Sequence, residues 1–387
     1  MSTPLGRADK TLLGRWFWTI DRPLLALVLV LIGIGLIAVA AASPAAAHRY
    51  SGGSVKLDDM YYFKRQLFWI LLGVPLMLGV SMLTIPWAKR LSLIGTLVFI
   101  VGLAAVPFFG AEANGAVRWL ALGGFQLQPS EFLKPLFAVT SAWLLASRFD
   151  DGDVPALSVS CGLLVLVVAM LVMQPDIGQS ALFVGVWLVQ AVLAGMSFAI
   201  LGIVIAAGVA ALVVAYLFVP HVTSRIDRFL TGNGDTYQID KALDGFRAGG
   251  LFGAGPGEGQ NKFSLPEPHT DYIFSVIGEE FGAIACAAIA ILFLAMIVRV
   301  LLQLLEEEDP FVFLGAAGLI TQIGGQAMIN IGVNLNLLPS KGMTLPFISH
   351  GGSSFLALSM GMGLLLALTR RNRFLKSSPY VPRGRTA

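Results

Sequence analysis

Two cysteines in 387 residues, Cys161 and Cys286, both lie inside apolar runs and leave nothing from which to build a disulfide framework or a thiolate metal site. Charge is also scarce. Asp, Glu, Lys and Arg make up 13% of the chain, about half of the ~25% that a soluble domain carries, and this shortage excludes a water-soluble globular protein. The net charge is only +3, and the absence of a basic cluster interleaved with aromatics excludes a nucleic-acid surface. Neither His269 nor His350 has a His, Cys or carboxylate neighbour at metal-ligand spacing. There is no Walker loop, no Gly-x-Ser-x-Gly elbow and no credible nucleophile–base pair. No repeat of the solenoid or transporter-half kind is visible.

What the chain has is apolar length, with 56% hydrophobic residues. Runs near the ~20 residues that cross a bilayer fall at 23–43, 66–86, 91–110, 131–147, 157–173, 179–197, 199–219, 271–301, 311–332 and 348–369. The 179–219 stretch divides at Gly195-Met196-Ser197. The first run follows Arg7, Lys10, Arg15 and Arg22 and ends in small residues, as a signal peptide does. Its length exceeds a secretory apolar core of ~7–15 residues, so it reads as an uncleaved span. Short loops on the side of the termini hold roughly twice the Lys and Arg of the opposite loops, which puts both termini in the cytoplasm. The expected fold is an all-α polytopic membrane protein of ten transmembrane helices: a cytoplasmic tail over 1–22, a membrane domain over 23–369 and a second cytoplasmic tail over 370–387. The large loop 220–270 joins helices 7 and 8 on the outer face.

Polar sequence crowds that face. Asp271 stands where the long loop gives way to an apolar run, and ionisable groups at membrane depth are functional candidates by default. The alternative is a helix cap made by Thr270 and Asp271. Ser275 and Glu279 follow Asp271 at i+4 and i+8, one stripe on one helix face. Gln322, Gln326, Asn330 and Asn334 repeat this spacing, with interhelical hydrogen bonding as the plainer reading. Arg118 and Trp119 suit a strip lying on the membrane surface. Pro129, Ser130 and Glu131 open a helix on which Glu131 and Lys134 pair at i, i+3. That pair either snorkels or lines a polar cavity in which Lys134 meets a phosphate. Gln174-Pro175-Asp176-Ile177-Gly178-Gln179 is ordinary turn chemistry that also places Asp176 and Gln179 at a cavity wall. The Gly-rich loop 231–262, which ends in Gly253–Gly259, either bends around a substrate or is mobile. Arg225, Arg228, Lys241, Arg247 and Lys262 make the loop basic, suited to anionic head groups.

Several segments in this order resemble the SEDS family of cell-wall glycosyltransferases: Asn114–Trp119, Gln128–Lys134, Gln174-Pro175-Asp176, Gly253–Gly259, Pro266–Phe274, Gly278-Glu279-Glu280 and Pro339–Ser354. Asp235-Thr236-Tyr237-Gln238 and Pro339–Pro346 look closer to the division branch, in its alphaproteobacterial form, than to the elongation branch. His350 departs from the pattern, where Tyr is expected. The resemblance implies polymerisation of lipid II at the periplasmic face during septum formation, with a class B penicillin-binding protein and other membrane proteins of the division machinery as partners. It maps the invariant acidic residue onto Asp271 and the Glu-x-x-Lys pair onto Glu131 and Lys134.

The chemistry agrees with that expectation. Joining two lipid-linked sugars needs a base for an acceptor hydroxyl and charge stabilisation for a departing pyrophosphate. Asp271 is the expected general base or metal-positioning carboxylate. Lys134, Arg118, Arg225 and Arg228 are the expected pyrophosphate contacts, with Glu131 orienting Lys134. Ser275, Glu279, Asp176, Gln179 and His269 line the cavity, and a divalent cation, Mg or Mn, is the expected cofactor. A lipid flippase would need charged sites reachable from both sides, and a non-catalytic scaffold leaves the Asp271 region without a role.

Overall fold

The structure is a computed structural model that describes residues 11–51, 56–113, 116–122, 125–150, 155–218, 220–231, 236–339 and 342–370. Asp21 opens the membrane region by accepting the amide of Leu24, with Pro23 in the first turn where its missing N–H is harmless. An eight-residue helix, α1 (Leu12–Thr19), precedes it within the stretch read as a tail. The apolar runs then form α2 (Arg22–Tyr50), α3 (Tyr61–Ser81), α4 (Ile85–Phe109), α5 (Pro129–Asp150), α6 (Ala156–Met173), α7 (Ile177–Leu193) and α8 (Phe198–Phe218). The long loop folds into α9 (Pro220–Thr231), α10 (Tyr237–Gly249) and a short 3-10 turn, Asn261–Phe263. The chain ends in α11 (Ile273–Leu304), α12 (Pro310–Asn334) and α13 (Gly352–Leu368).

Seven of these helices, α2, α3, α4, α6, α8, α11 and α12, are long and apolar enough to cross a membrane, and α7 and α13 are shorter apolar helices. Helix α5 has comparable length but carries Glu131 and Lys134 in its first half. Helices α12 and α13 form the centre. Nearly every residue of α13 is buried, packed on α3, α5 and α12, while α12 packs on α5, α7 and α11. Helix α8 is the opposite case: none of its residues is buried. Its separation from α7 falls where the sequence predicts, with Gly195 at φ +83°, a left-handed turn that glycine adopts without strain.

One part of the all-helical expectation fails. Residues 110–127 form an antiparallel sheet of β1 (Gly110–Ala113), β2 (Ala116–Leu122) and β3 (Phe125–Leu127), in the order β1-β2-β3, with Ala111 opposite Trp119 and Leu120 opposite Leu127. Asn114-Gly115 and Gly123-Gly124 separate the strands in sequence, and such dipeptides favour two-residue hairpin loops. Arg118 and Trp119 thus lie on a hairpin strand, β2.

Helix α11 is broken. Gly282 has φ 82° and ψ 176°, dividing the helix into two rods. The last carbonyls of the first rod, on Glu279 and Glu280, accept the amides of Ala254 and Gly255 at 2.9 and 3.1 Å. The first amides of the second rod, on Ala283 and Ile284, donate to the carbonyls of Gly250 and Leu251 at 2.9 and 3.3 Å. The Gly-rich loop thus satisfies the backbone groups that a helix end leaves open, as broken helices at membrane depth require.

Candidate active site

Asp271 sits two residues before α11, in a turn rather than on the helix. The turn closes by bonds from the amides of Thr270 and Tyr272 to the Glu267 carbonyl. The Glu267 carboxylate accepts the hydroxyls of Tyr50 (2.7 Å) and Thr270 (2.9 Å), fixing the turn from both sides. From α12, Asn330 and Asn334 both donate their side-chain amides to the Asp271 carbonyl at 2.9 Å, and Asn330 also reaches the Met343 carbonyl at 2.6 Å. The Ser349 hydroxyl donates to the Thr270 carbonyl at 2.6 Å. The N-cap of α11 is Tyr272, with no side-chain capping bond, so Asp271 is not a helix cap.

The backbone is therefore held while the carboxylate is left for other work. No described residue donates a hydrogen bond to it. A Cβ built on Gly342 would lie 2.9 Å from Asp271 Oδ2, so the bare backbone at 342 forms one wall. Burial pushes the carboxyl up from its usual range to about 7, helped by the nearby Glu267 and Glu131 charges and opposed by Arg118. An Asp at that value is a much better base near neutral pH than an unperturbed one.

The Glu131–Lys134 pair is real and almost fully buried, with Nζ 2.8 Å from Oε2. Gln179 of α7 donates to Glu131 Oε1 at 2.6 Å, and Lys134 donates to Gln326 Oε1 of α12 at 2.8 Å. Gln326 donates onward to the carbonyl and hydroxyl of Thr344, whose hydroxyl bonds Ser354 of α13 at 2.8 Å. One polar network thus crosses α7, α5, α12 and α13. The ammonium has three donors, of which these contacts account for two. Arg118, on β2, donates to the carbonyls of Gln174 (3.2 Å) and Pro175 (2.9 Å) and lies 3.9 Å from Asp176. It ties the sheet to the C-terminal end of α6, where a cation is favoured.

Other expected positions fall elsewhere. Ser275 donates to the Ala242 carbonyl at 2.6 Å, holding α10. Glu279 accepts the amides of Asn261 (2.7 Å) and Lys262 (2.9 Å). These two side chains secure the loop and do not share a face with Asp271, because the helix begins only at Ile273 and the turn before it breaks the i+4 spacing. The Gly-rich segment is pinned as well: Gly257 donates to Glu280 at 3.0 Å, and Lys262 forms a buried ion pair with Glu280. Lys262 is thereby neutralised and is not a head-group contact. The side chains of Arg225 and Arg228, expected on the substrate, lie outside the described residues, although both positions fall on α9.

Sequence spacing also conceals a cluster. His269 and His350, 81 positions apart in the chain, bring their rings within 5.5 Å, with Tyr62 4.1 Å from His269. His350 Nδ1 pairs with Gln66 Oε1 at 3.0 Å, and its amide donates to the His269 carbonyl. Burial lowers His269 to about 4 and His350 to about 3, so both rings stay neutral. The asparagines and glutamines of α12 are the other residues underestimated by sequence, since only folding shows that their stripe faces Asp271 and Lys134.

A half-buried carboxylate raised toward neutrality, a buried ammonium and a wall of bare backbone thus lie at one end of a helical bundle. The chain belongs to the cell cycle protein family of FtsW, RodA and SpoVE, which it matches over residues 22–374. It is 42% identical over 367 residues to a probable peptidoglycan glycosyltransferase FtsW of Caulobacter vibrioides, covering 94% of this chain and 93% of that one. It is 35% identical to stage V sporulation protein E of Bacillus subtilis over 84% of this chain and 93% of that one. Among solved structures, its fold is similar to a chain from a peptidoglycan synthase complex, at TM-score 0.75 and 24% identity over 90% of this chain and 97% of that one. It is also similar to a mutant form of the rod shape determining protein RodA of Thermus thermophilus, at TM-score 0.67 and 25% identity over 90% of this chain and 97% of that one.

Proposed function

We propose that this protein is a peptidoglycan glycosyltransferase that polymerises lipid II at the periplasmic membrane face during cell division. The observation that carries the reading is the Asp271 carboxylate, raised to about 7 and left without a described hydrogen-bond donor while Asn330 and Asn334 hold its carbonyl and Ser349 holds that of Thr270. In the proposed step Asp271 takes the proton from an acceptor sugar hydroxyl. The resulting oxygen bonds to the donor's anomeric carbon as the bond from that carbon to the pyrophosphate oxygen breaks. Lys134 directs its remaining N–H at the departing undecaprenyl pyrophosphate, and Glu131, Gln179 and Gln326 keep the ammonium in place. Arg118 adds positive charge beside the same opening.

Among the described residues no group of three or more His, Cys, Asp or Glu side chains converges to hold a metal. A hard cation such as Mg is commonly bound through one or two carboxylates plus substrate phosphates. In the alternative role of metal-positioning carboxylate, Asp271 with pyrophosphate oxygens would fit that pattern, and the ion would neutralise leaving-group charge.

The membrane placement follows from the same reading. Ten helices, α2 to α8 and α11 to α13, cross the bilayer, both termini lie in the cytoplasm and the long loop with Asp271 lies in the periplasm. The Lys and Arg bias of the short loops supports this. A class B penicillin-binding protein is the proposed partner, with other division proteins at the septum. The 42% identity to an FtsW-named relative supports the division role over elongation.

The test uses purified protein with its penicillin-binding partner, labelled lipid II and Mg or Mn. Wild type should give a glycan ladder and Asp271→Asn should not. A ladder from Asp271→Asn equal to wild type, or none from wild type, overturns the reading. Lipid II movement across liposomes without polymer would assign the chain to transport instead.

A further inference from the structure

The end of the bundle remote from Asp271 holds a cavity of about 360 Å³, lined by Lys89, Trp143, Glu308, Asp309 and Phe311 among others. Chain direction fixes its position. Helix α5 starts at the active site and passes Trp143 near its far end, and α11 runs from Ile273, just after Asp271, to Leu304, just before Glu308. Its size falls within the ~300–1,000 Å³ of small-ligand sites.

The cavity is built for two opposite charges. The Lys89 ammonium lies 4.3 Å from the centre of the Phe311 ring, a cation–π contact that holds the amine at the rim. Asp309 accepts the amides of Phe311 (2.9 Å) and Val312 (3.2 Å), which fixes its carboxylate at the N-terminus of α12. Glu308 is exposed beside it. Two tryptophans mark the level of the bilayer: Trp143 is partly exposed, and Trp87, largely exposed, has the Arg90 guanidinium 5.2 Å from its ring. Trp at this position sits at the headgroup boundary.

A ligand complementary to this lining brings a negative group to Lys89, on the Phe311 ring, and a cation to Glu308 and Asp309. Phosphoethanolamine does both. An anionic phosphatidylglycerol head places no cation against the carboxylates. We infer that this cavity binds the headgroup of a phosphatidylethanolamine molecule drawn from the adjoining leaflet, with the phosphate at Lys89 and the ammonium at Glu308 and Asp309.

Full-length protein reconstituted in equal parts phosphatidylethanolamine and phosphatidylglycerol, then analysed by native mass spectrometry, tests the inference. Wild type should retain phosphatidylethanolamine roughly fivefold over phosphatidylglycerol, the scale of one cation acting near a lipid surface. Lys89→Ala should lose most of that retention, and Glu308→Gln should lose the preference while gaining phosphatidylglycerol. Equal retention of both lipids by wild type, or unchanged preference in Glu308→Gln, overturns it. Glu308 is exposed and its substitution should leave the fold intact, so that variant decides the matter even if Lys89→Ala unfolds. The readout is lipid retention and does not depend on the chemistry proposed for Asp271.

Discussion

The main chain at Gly342 approaches the Asp271 carboxylate so closely that any side chain there would put its Cβ 2.9 Å from Oδ2. The carboxylate and the 342–350 segment are therefore one unit, although 71 positions separate the two residues.

Gly342→Ala should displace the carboxylate by a fraction of an ångström to an ångström and lower polymerisation by about 10²-fold, the usual effect of such misplacement. Asp271→Asn removes the base itself and should cost ~10²–10⁴-fold. Glycan ladders at matched protein levels measure both. Activity of Gly342→Ala within about twofold of wild type would refute the close-wall account.

Polymerisation should rise as pH passes through about 7, where Asp271 loses its proton. Stability should move the other way. The folded carboxyl titrates near 7 and the unfolded one near 3.8, so between those values the folded state binds more protons and stability falls as pH rises. Thermal unfolding in the absence of divalent cation should show Asp271→Asn gaining on wild type at pH 8 and little difference at pH 4. The gain is at most about 4 kcal/mol from the shift alone, and partial solvent access reduces it. An Asp271→Asn stability offset that does not change with pH would contradict the raised value.

Glu131→Gln and Lys134→Met should each destabilise by about 3–5 kcal/mol, because each leaves a buried charge without its partner. The double variant should recover much of that loss and still make no polymer. Denaturation midpoints in detergent, read beside glycan assays, separate the two effects. Full activity in the double variant would remove Lys134 from the mechanism.

Lys262→Met leaves Glu280 buried without its counter-ion and should release the Gly-rich loop. Limited proteolysis should then cut between residues 250 and 262 much faster than in wild type. An unchanged cleavage pattern would mean that backbone bonding alone anchors the segment.

Much of this is legible from sequence. Apolar run length locates the helices, with ends off by as much as about seven residues at α2, α3 and α4, and Gly195 marks the division of α7 from α8. Helical spacing finds Glu131 and Lys134, because both lie on one regular helix, α5. The errors occur where regularity stops. Spacing puts Asp271 on a helix with Ser275 and Glu279 because apolar sequence continues through it, yet the turn fixed by Glu267 delays α11 to Ile273. His269 and His350 cannot be paired by spacing, since tertiary packing alone joins them. The hairpin strands are obscured by hydrophobicity that suits a membrane strip equally well.

The break at Gly282 has one more consequence. At the break itself loop and helix are joined by peptide groups, which every amino acid except proline supplies in full, while Glu279, Glu280 and Lys262 add side-chain anchors beside it. Side chains on the loop's crest, such as Leu251 and Phe252, point outward and take no part in the join. That surface can therefore drift in sequence or be redesigned while its seat on the broken helix stays constant. Position 282 itself has no such freedom: a Cβ there would lie 2.3 Å from the Leu251 carbonyl oxygen, at a φ that other residues rarely adopt. A single hydrogen atom in place of a side chain lets the Gly-rich loop seat against the broken helix.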